Sequence, residues 1–432
     1  MTAHPMWFGS DDRPLFGWAH VPGSGSAAGA VVLCPPLARD LTSTQYTYRL
    51  LAEQLAAAGM LAIRFDYDGT GDSAGSDRDP GRVQAWLDSV VAAVDLARSC
   101  GADRVSLLGM RMGALLAAAG AERCGELDAV VLWDPVASGR AFVREQSALQ
   151  RLRSDVIPQS GDDVELPGFV YSAQTVADLS AFTVPQASKA PSRLLLVTRG
   201  DRAPASELAE ALGIEPVHLE ARCQDLLLEV EPLYHEIPTE TMGDIVSWLG
   251  LGAHRAPTEV SVPVRDAASM RIEGALLTER IAWLEPVGLF AITTEPDSGS
   301  DGPSILMLNS GNDWHVGPNR LWVDLCRRWA ALGHRCVRFD ESGLGDSPTR
   351  PGNGPHIVRL PEAFDDVSDA QAALEPADPT NVVMVGLCSG GYQALENALI
   401  RPTRGVYAIN PILHFTPPEL ASGPMDPRRR IC

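Results

Sequence analysis

One plan of elements occurs twice in this chain, in the same order, and no other feature narrows its possible folds as far. The first copy opens on Ala30-Val-Val-Leu-Cys-Pro-Pro36, an apolar run of strand length closed by prolines. A helix with an Ala/Leu stripe follows over Tyr48 to Ala58, and then Leu61-Ala-Ile-Arg-Phe-Asp66 feeds the turn Asp68-Gly-Thr-Gly-Asp-Ser73. The second copy has Ser304-Ile-Leu-Met-Leu-Asn309, a helix over Leu321 to Leu332, and His334-Arg-Cys-Val-Arg-Phe-Asp340 feeding Glu341-Ser-Gly-Leu-Gly-Asp-Ser347. Each copy continues through a further helix into a β-branched run and a glycine-framed turn, Gly109-Met-Arg-Met-Gly113 and Gly386-Leu-Cys-Ser-Gly390. Strands that alternate with helices dictate an α/β fold whose sheet is mostly parallel and covered on both faces.

The 432 residues suffice for two cores. The expected units are 1–252, with a lid-like insertion at about 140–190 between strands, and 256–432, joined where Gly, Ala and Pro cluster near 250–263. Counted against the first copy, the second stops soon after its sixth strand, so it is expected to be an incomplete unit. A formal charge of −20 repels phosphate backbones and anionic membranes. Nucleic acid and membrane are therefore excluded as expected partners, and a small-molecule or carrier-bound substrate fits better. No apolar run is long enough to span a bilayer and the first residues show no signal-peptide pattern, which leads to an expectation of a cytoplasmic protein. The eight cysteines contain no C-x-x-C pair, so neither a disulfide framework, a metal site nor another cofactor is expected.

A Gly-x-nucleophile-x-Gly turn between strand and helix raises its central side chain at a helix N-terminus, where negative charge is stabilised. Here the centres are Arg111 and Cys388, and neither is a serine. On these motifs the chain resembles the α/β-hydrolase superfamily and, more narrowly, the paired hydrolase-like proteins found beside exosortase systems. One of that pair is similar to Pro35-Pro36, Gly69-Thr70-Gly71-Asp72-Ser73 and the elbow through Ala114. The other is similar to Val316-Gly-Pro-Asn-Arg320, Gly343-Leu-Gly-Asp-Ser347 and the cysteine elbow. The resemblance implies two consecutive α/β-hydrolase-type units fused in one chain. It also implies about a hundred more residues after the sixth strand of such a unit.

Arg111 cannot attack a carbonyl, because a guanidinium stays protonated and offers no lone pair. Its unit keeps candidates for other triad positions in Asp201 and His235, with Asp134 as an alternative acid. Two readings of Arg111 stand open. It anchors an anionic group of a substrate in the old pocket, or it is neutralised internally by Asp134 or Asp201.

Cys388 is a competent nucleophile, since a thiolate attacks better than a hydroxyl and a helix N-terminus favours it. An oxyanion hole would come from the backbone N–H of Ser389 and one from the loop after Asn309, with the Ser389 side chain directed away from the pocket. A base is the missing part. His315, near the oxyanion side, His414, just past the sixth strand, and His235 of the first unit are the candidates. Asp72-Ser73 and Asp346-Ser347 are expected to close turns rather than to react.

Three functions follow as expectations. The first is an acyl-transfer protein of thioesterase, esterase or transacylase type with Cys388 as covalent acceptor. The second is a non-catalytic tandem pseudo-hydrolase that binds a ligand or carrier protein. The third, a C–C hydrolase or dienelactone-type enzyme, needs a complete histidine and acid.

Overall fold

The computed structural model describes residues 1–153, 163–201, 206–230, 235–252, 256–300, 302–351, 360–374, 378 and 380–411. The chain divides into two compact units, Met1–Ala268 and Ser269–Cys432.

The first unit is built on strands β1 (Thr2–Gly9), β2 (Pro14–Val21), β3 (Ala30–Cys34), β4 (Leu61–Phe65), β5 (Val105–Met110), β6 (Ala129–Trp133), β7 (Arg193–Thr198) and β8 (Val217–Glu220). They form an eight-stranded sheet in the order β1-β2-β4-β3-β5-β6-β7-β8. β1 and β2 are antiparallel, β2 meets β4 antiparallel, and every pairing from β4 to β8 is parallel. Helices α1 (Arg39–Ala57), α2 (Arg82–Ser99) and α3 (Met112–Ala121) connect the first parallel strands. α4 (Gly139–Arg153), a short strand pair and α5 (Ala173–Ala181) make up the insertion expected between β6 and β7. α6 (Ser206–Leu212), α7 (Gln224–Leu228) and α8 (Thr239–Gly250) follow.

Strand periodicity sorts the core into two layers. Val32, Ile63 and Leu107 pack with Val90 of α2 and Leu115 of α3. Val31, Ala62 and Leu108, each one step out of phase, pack with Leu51 of α1 and Ile245 of α8. β3 is buried at every position, as a central parallel strand must be.

The second unit contains β9 (Ala267–Ile272), β10 (Ala275–Leu284), β11 (Leu289–Pro296), β12 (Ser304–Met307), β13 (Cys336–Phe339), β14 (Val382–Leu387) and β15 (Gly405–Ile409). Its sheet runs β9-β10-β11-β13-β12-β14-β15. From β10 onward this repeats the order of the first six strands of the first unit. α9 (Leu321–Ala331) covers one face through Trp322 and Cys326, and α10 (Leu360–Leu374) covers the other through Val367 and Ala370. α11 (Ser389–Ile400) follows β14.

A buried ionic group ties four of these elements together. Glu279 of β10, Arg338 of β13 and Arg327 of α9 are all at most 2% exposed. Arg327 donates to both Glu279 oxygens at 3.2 and 2.8 Å, and Arg338 donates to Oε1 at 3.0 Å. Thr294 of β11 adds a hydroxyl to Oε1 at 2.9 Å. Burial alone would raise the Glu279 carboxyl, but the two guanidinium charges overcome it and hold it down to about 2.

The segment from 256, expected to open the second unit, packs with the first as far as Arg265. Thr258–Glu259 pair antiparallel with Ser26–Ala27, Ser261 N–H donates to Cys100 O, and Trp7 N–H donates to Arg265 O. Unsatisfied backbone groups of the first sheet's surroundings are met by this strap, which composition alone reads as a linker.

Candidate functional site

The two Gly-x-Gly-Asp-Ser turns are the same structure twice. Ser73 Oγ donates to Asp66 O and accepts from Phe16 N–H; Ser347 Oγ donates to Asp340 O and accepts from Phe290 N–H. Asp66 and Asp340 each accept the N–H six residues on, at 2.9 Å. A Cβ at Gly71 or Gly345 would stand 2.1 or 2.2 Å from those carboxylates, and both glycines have positive φ. The motif is therefore structural, as its residue types suggested.

The elbows are equally matched. Arg111 has φ 55°, ψ −121° and Cys388 has φ 57°, ψ −115°, a strained conformation for a residue with a side chain. Each N–H donates at 3.0 Å to the last residue of the neighbouring strand, Trp133 or Ile409. The glycines are forced: a Cβ at Gly109 would lie 2.3 Å from Gly113 O, and one at Gly386 would lie 2.2 Å from Gly390 C. Strand turns into helix within one residue, and the central side chain is pushed out of the turn.

Opposite chemistry occupies the two turns. Arg111 is 2% exposed, and its guanidinium meets Asp40 Oδ2 at 3.2 Å, Asp134 Oδ2 at 3.5 Å and Glu145 Oε1 at 2.6 Å. Burial opposes its charge, yet the three carboxylates outweigh this and hold the guanidinium above its usual range. Burial raises the Asp40 carboxyl, with the Arg111 charge acting against it. Gln146 Nε2 reaches Asp40 Oδ1 at 3.5 Å. The internal neutralisation expected through Asp134 is present. Asp201 instead binds Arg199 at 2.9 and 2.8 Å with its side chain 65% exposed. His235 Nε2 lies 3.2 Å from Val230 O. An anionic ligand at Arg111 would face carboxylates already in place, which disfavours the anchoring reading.

Cys388 is partly exposed at the start of α11, whereas Cys34, Cys100, Cys124, Cys326 and Cys336 are buried and Cys223 is exposed elsewhere. The expectation for Ser389 needs correction. Its hydroxyl does not turn away but accepts the N–H of Gly311 at 2.7 Å, in the loop after β12. That loop comes so close because Gly390 has no side chain; a Cβ there would be 2.4 Å from Asn309 O. Asn309 braces the same loop, accepting from Glu341 N–H at 3.0 Å and donating to Asp313 O at 2.8 Å. The Asp313 carboxyl has no hydrogen-bond partner among the described residues, and burial pushes it up to about 6.

His315 is also corrected. It is 1% exposed, its Nδ1 is 2.9 Å from Asp340 Oδ2, its N–H donates to Asp340 Oδ1 at 2.6 Å, and its ring lies edge-on to Phe290. It is a core residue completing the hydrogen bonding of the turn carboxylate rather than a group facing substrate. His414 lies outside the described residues. Glu341, buried beside Gln393, is raised well above the usual carboxylate range, first by burial and then by the Asp366 charge. Among the described residues no group of three or more His, Cys, Asp or Glu is placed to hold a metal, and no helix is long and apolar enough to cross a membrane.

The sheet order, the crossover helices and the elbow give the first unit an α/β-hydrolase fold, and the second unit repeats the order of its first six strands and its elbow. Residues 25–183 match the family described as serine aminopeptidase, S33. Among solved structures the chain is similar to Est1E from Butyrivibrio proteoclasticus with ferulic acid bound, at 15% identity and TM-score 0.42 over 58% of this chain and 100% of that one. It is similar to a serine hydrolase without lid from Xanthomonas campestris, at 15% identity and TM-score 0.38 over 60% of this chain and 98% of that one. A Pyrococcus furiosus esterase matches at 16% identity and TM-score 0.40 over 58% of this chain and 91% of that one. No curated protein matches.

Asp40 and Glu145 escape reasoning from sequence. Asp40 follows the Pro-Pro segment closely enough to be a candidate; nothing in the α4 sequence distinguishes Glu145 from its neighbours.

Proposed function

We propose that the second unit carries out acyl transfer of thioesterase, esterase or transacylase type, with Cys388 as the covalent acceptor and a small-molecule or carrier-bound acyl group as substrate. The observation that carries this reading is the partly exposed cysteine at the apex of a nucleophile-elbow turn at the N-terminus of α11. The thiol gives its proton to solvent or to a base. The thiolate attacks the acyl carbonyl, a C–S bond forms and the carbonyl pair moves onto oxygen. Collapse of that oxyanion breaks the bond to the leaving group, which recovers a proton, and water or a second acceptor then cleaves the thioester. His414, which follows β15 in the chain, is the histidine we assign as base.

The first unit acts as a non-hydrolytic scaffold, because its elbow presents an arginine held by three carboxylates. The order of elbows, arginine then cysteine, supports kinship with the paired exosortase-associated proteins, and for the first unit it favours the pseudo-hydrolase reading.

Intact-mass spectrometry after incubation with activated thioesters tests the proposal. A stoichiometric acyl adduct that disappears in Cys388→Ala and persists in Cys223→Ala is the expected result. Labelling that follows Cys223, or no labelling, overturns it.

A further inference from the structure

The Gly311 N–H in the loop after β12 lies where a second oxyanion donor would be sought, yet it is already committed to the Ser389 hydroxyl at 2.7 Å. That bond uses Ser389 as an acceptor. A hydroxyl that accepts still has its own proton to give, and Ser389 makes no other side-chain hydrogen bond among the described residues. The loop is braced against the elbow: Gly390 lets Asn309 O approach the helix start, and Asn309 accepts from Glu341 N–H and donates to Asp313 O. Ser389 is the first residue of α11, directly after Cys388, so its hydroxyl and its backbone N–H belong to the same short stretch of chain.

We infer that the Ser389 hydroxyl is a catalytic hydrogen-bond donor to the oxyanion formed at Cys388, relaying the Gly311 N–H rather than competing with it. The inference rests on the acyl-transfer reading above. Donation from Gly311 polarises the hydroxyl and strengthens the bond it gives, as hydrogen bonds in series do. No proton is transferred in this step. The carbonyl pair that moves to oxygen when the C–S bond forms is met by a preorganised donor, which costs no reorganisation at that moment. The first unit supports the assignment by contrast. The residue after its elbow is Met112, fully buried and with no hydrogen-bond donor in its side chain, and the elbow itself holds no nucleophile.

The test compares two reactions of one thiol. p-Nitrophenyl acetate acylates Cys388 through an oxyanion: the C–S bond forms, the ester C–O bond breaks and p-nitrophenolate leaves with its electron pair. Iodoacetamide alkylates the same thiol with loss of iodide and no oxyanion. For Ser389→Ala, the acylation rate read by intact mass is expected to fall about 100- to 1,000-fold. Alkylation is expected to stay within about twofold, and Ser389→Thr, which keeps a hydroxyl, to recover most of the acylation rate. A role limited to holding the loop or activating the thiol would lower both rates together, and that result overturns the inference. Should Ser389→Ala not fold, equal acylation and alkylation losses in Ser389→Thr and Ser389→Cys overturn it in the same way. A wild type that alkylates at Cys388 but never acylates there overturns the acyl-transfer reading and this inference with it. Normal acylation in Ser389→Ala overturns this inference alone.

Discussion

Replacing Glu279 by Gln keeps the shape of the buried group and removes its one negative charge. In the folded chain that carboxyl is held down to about 2, against 4.5 when unperturbed. A tenfold change in proton affinity is worth about 1.4 kcal/mol, so the difference corresponds to about 3 kcal/mol of stability at neutral pH. No discount for solvent applies, because Glu279 is fully buried. Direct removal of one partner from a buried ion group falls in the same range, about 3 to 5 kcal/mol, since Arg327 and Arg338 would then face each other uncompensated. Because the folded-state value is depressed, this stability is present above 4.5 and is lost as pH falls toward 2. The assay is amide hydrogen exchange by mass spectrometry, which reads the second unit separately from the first. Peptides from β10, β11 and β13 are expected to lose protection by about 100-fold at pH 7 in Glu279→Gln, while those from β4 and β5 stay unchanged. The wild type should approach the variant as pH is lowered through the same window. A loss under about threefold, or one equal at all pH values, would refute the reasoning. Replacing all three groups together by apolar residues of similar size should restore protection, because desolvation of the charges is then avoided.

Other expectations follow from the same geometry. Asp313→Asn should stabilise the second unit at pH 7.5 by about 1 to 3 kcal/mol, because burial lifts the wild-type carboxyl from 3.8 to about 6 and the folded state is penalised as pH rises through that window. Calorimetry at pH 7.5 and pH 3.5 should show the gain at the first and not at the second. Arg111→Met should destabilise the first unit by about 3 to 5 kcal/mol, leaving Asp40 and Asp134 buried without their cation, and chemical denaturation should show it. Gly345→Ala should lower thermal stability by more than about 2 kcal/mol, since its Cβ would overlap the Asp340 carboxylate. Gly333→Ala, at positive φ but in open space, should lose only about 1 kcal/mol in the same melts.

The repeat, the strands and both elbows are legible in the sequence because each is local: a β-branched run, a glycine frame and a period-two alternation are properties of neighbouring residues. Pairings between distant residues are not legible. Arg111 and Asp40 are 71 positions apart, and Ser389 and Gly311 are 78 apart. The side-chain direction of Ser389 does not follow from its place in the turn, because it depends on how closely the loop after β12 packs on α11. His315 looks available because it falls in the loop after the first central strand, on the expected oxyanion side; the Asp340 carboxylate that holds it comes from the end of the neighbouring strand, 25 positions on. The strap over Thr258–Arg265 is hard to assign from sequence because it adjoins and overlaps the stretch near 250–263 where Gly, Ala and Pro cluster, residues that mark flexible chain as readily as an extended edge.

Two elbows with one backbone conformation give this molecule a matched experiment of its own. Arg111→Cys would put a second thiol on a turn that differs from that of Cys388 by 2° in φ and 6° in ψ. Both thiols would then share a solution, a chain and an N-terminal helix turn, and differ in what surrounds them. The ratio of their reaction rates would measure how much of a nucleophile's power resides in the bend that displays it and how much in the company it keeps.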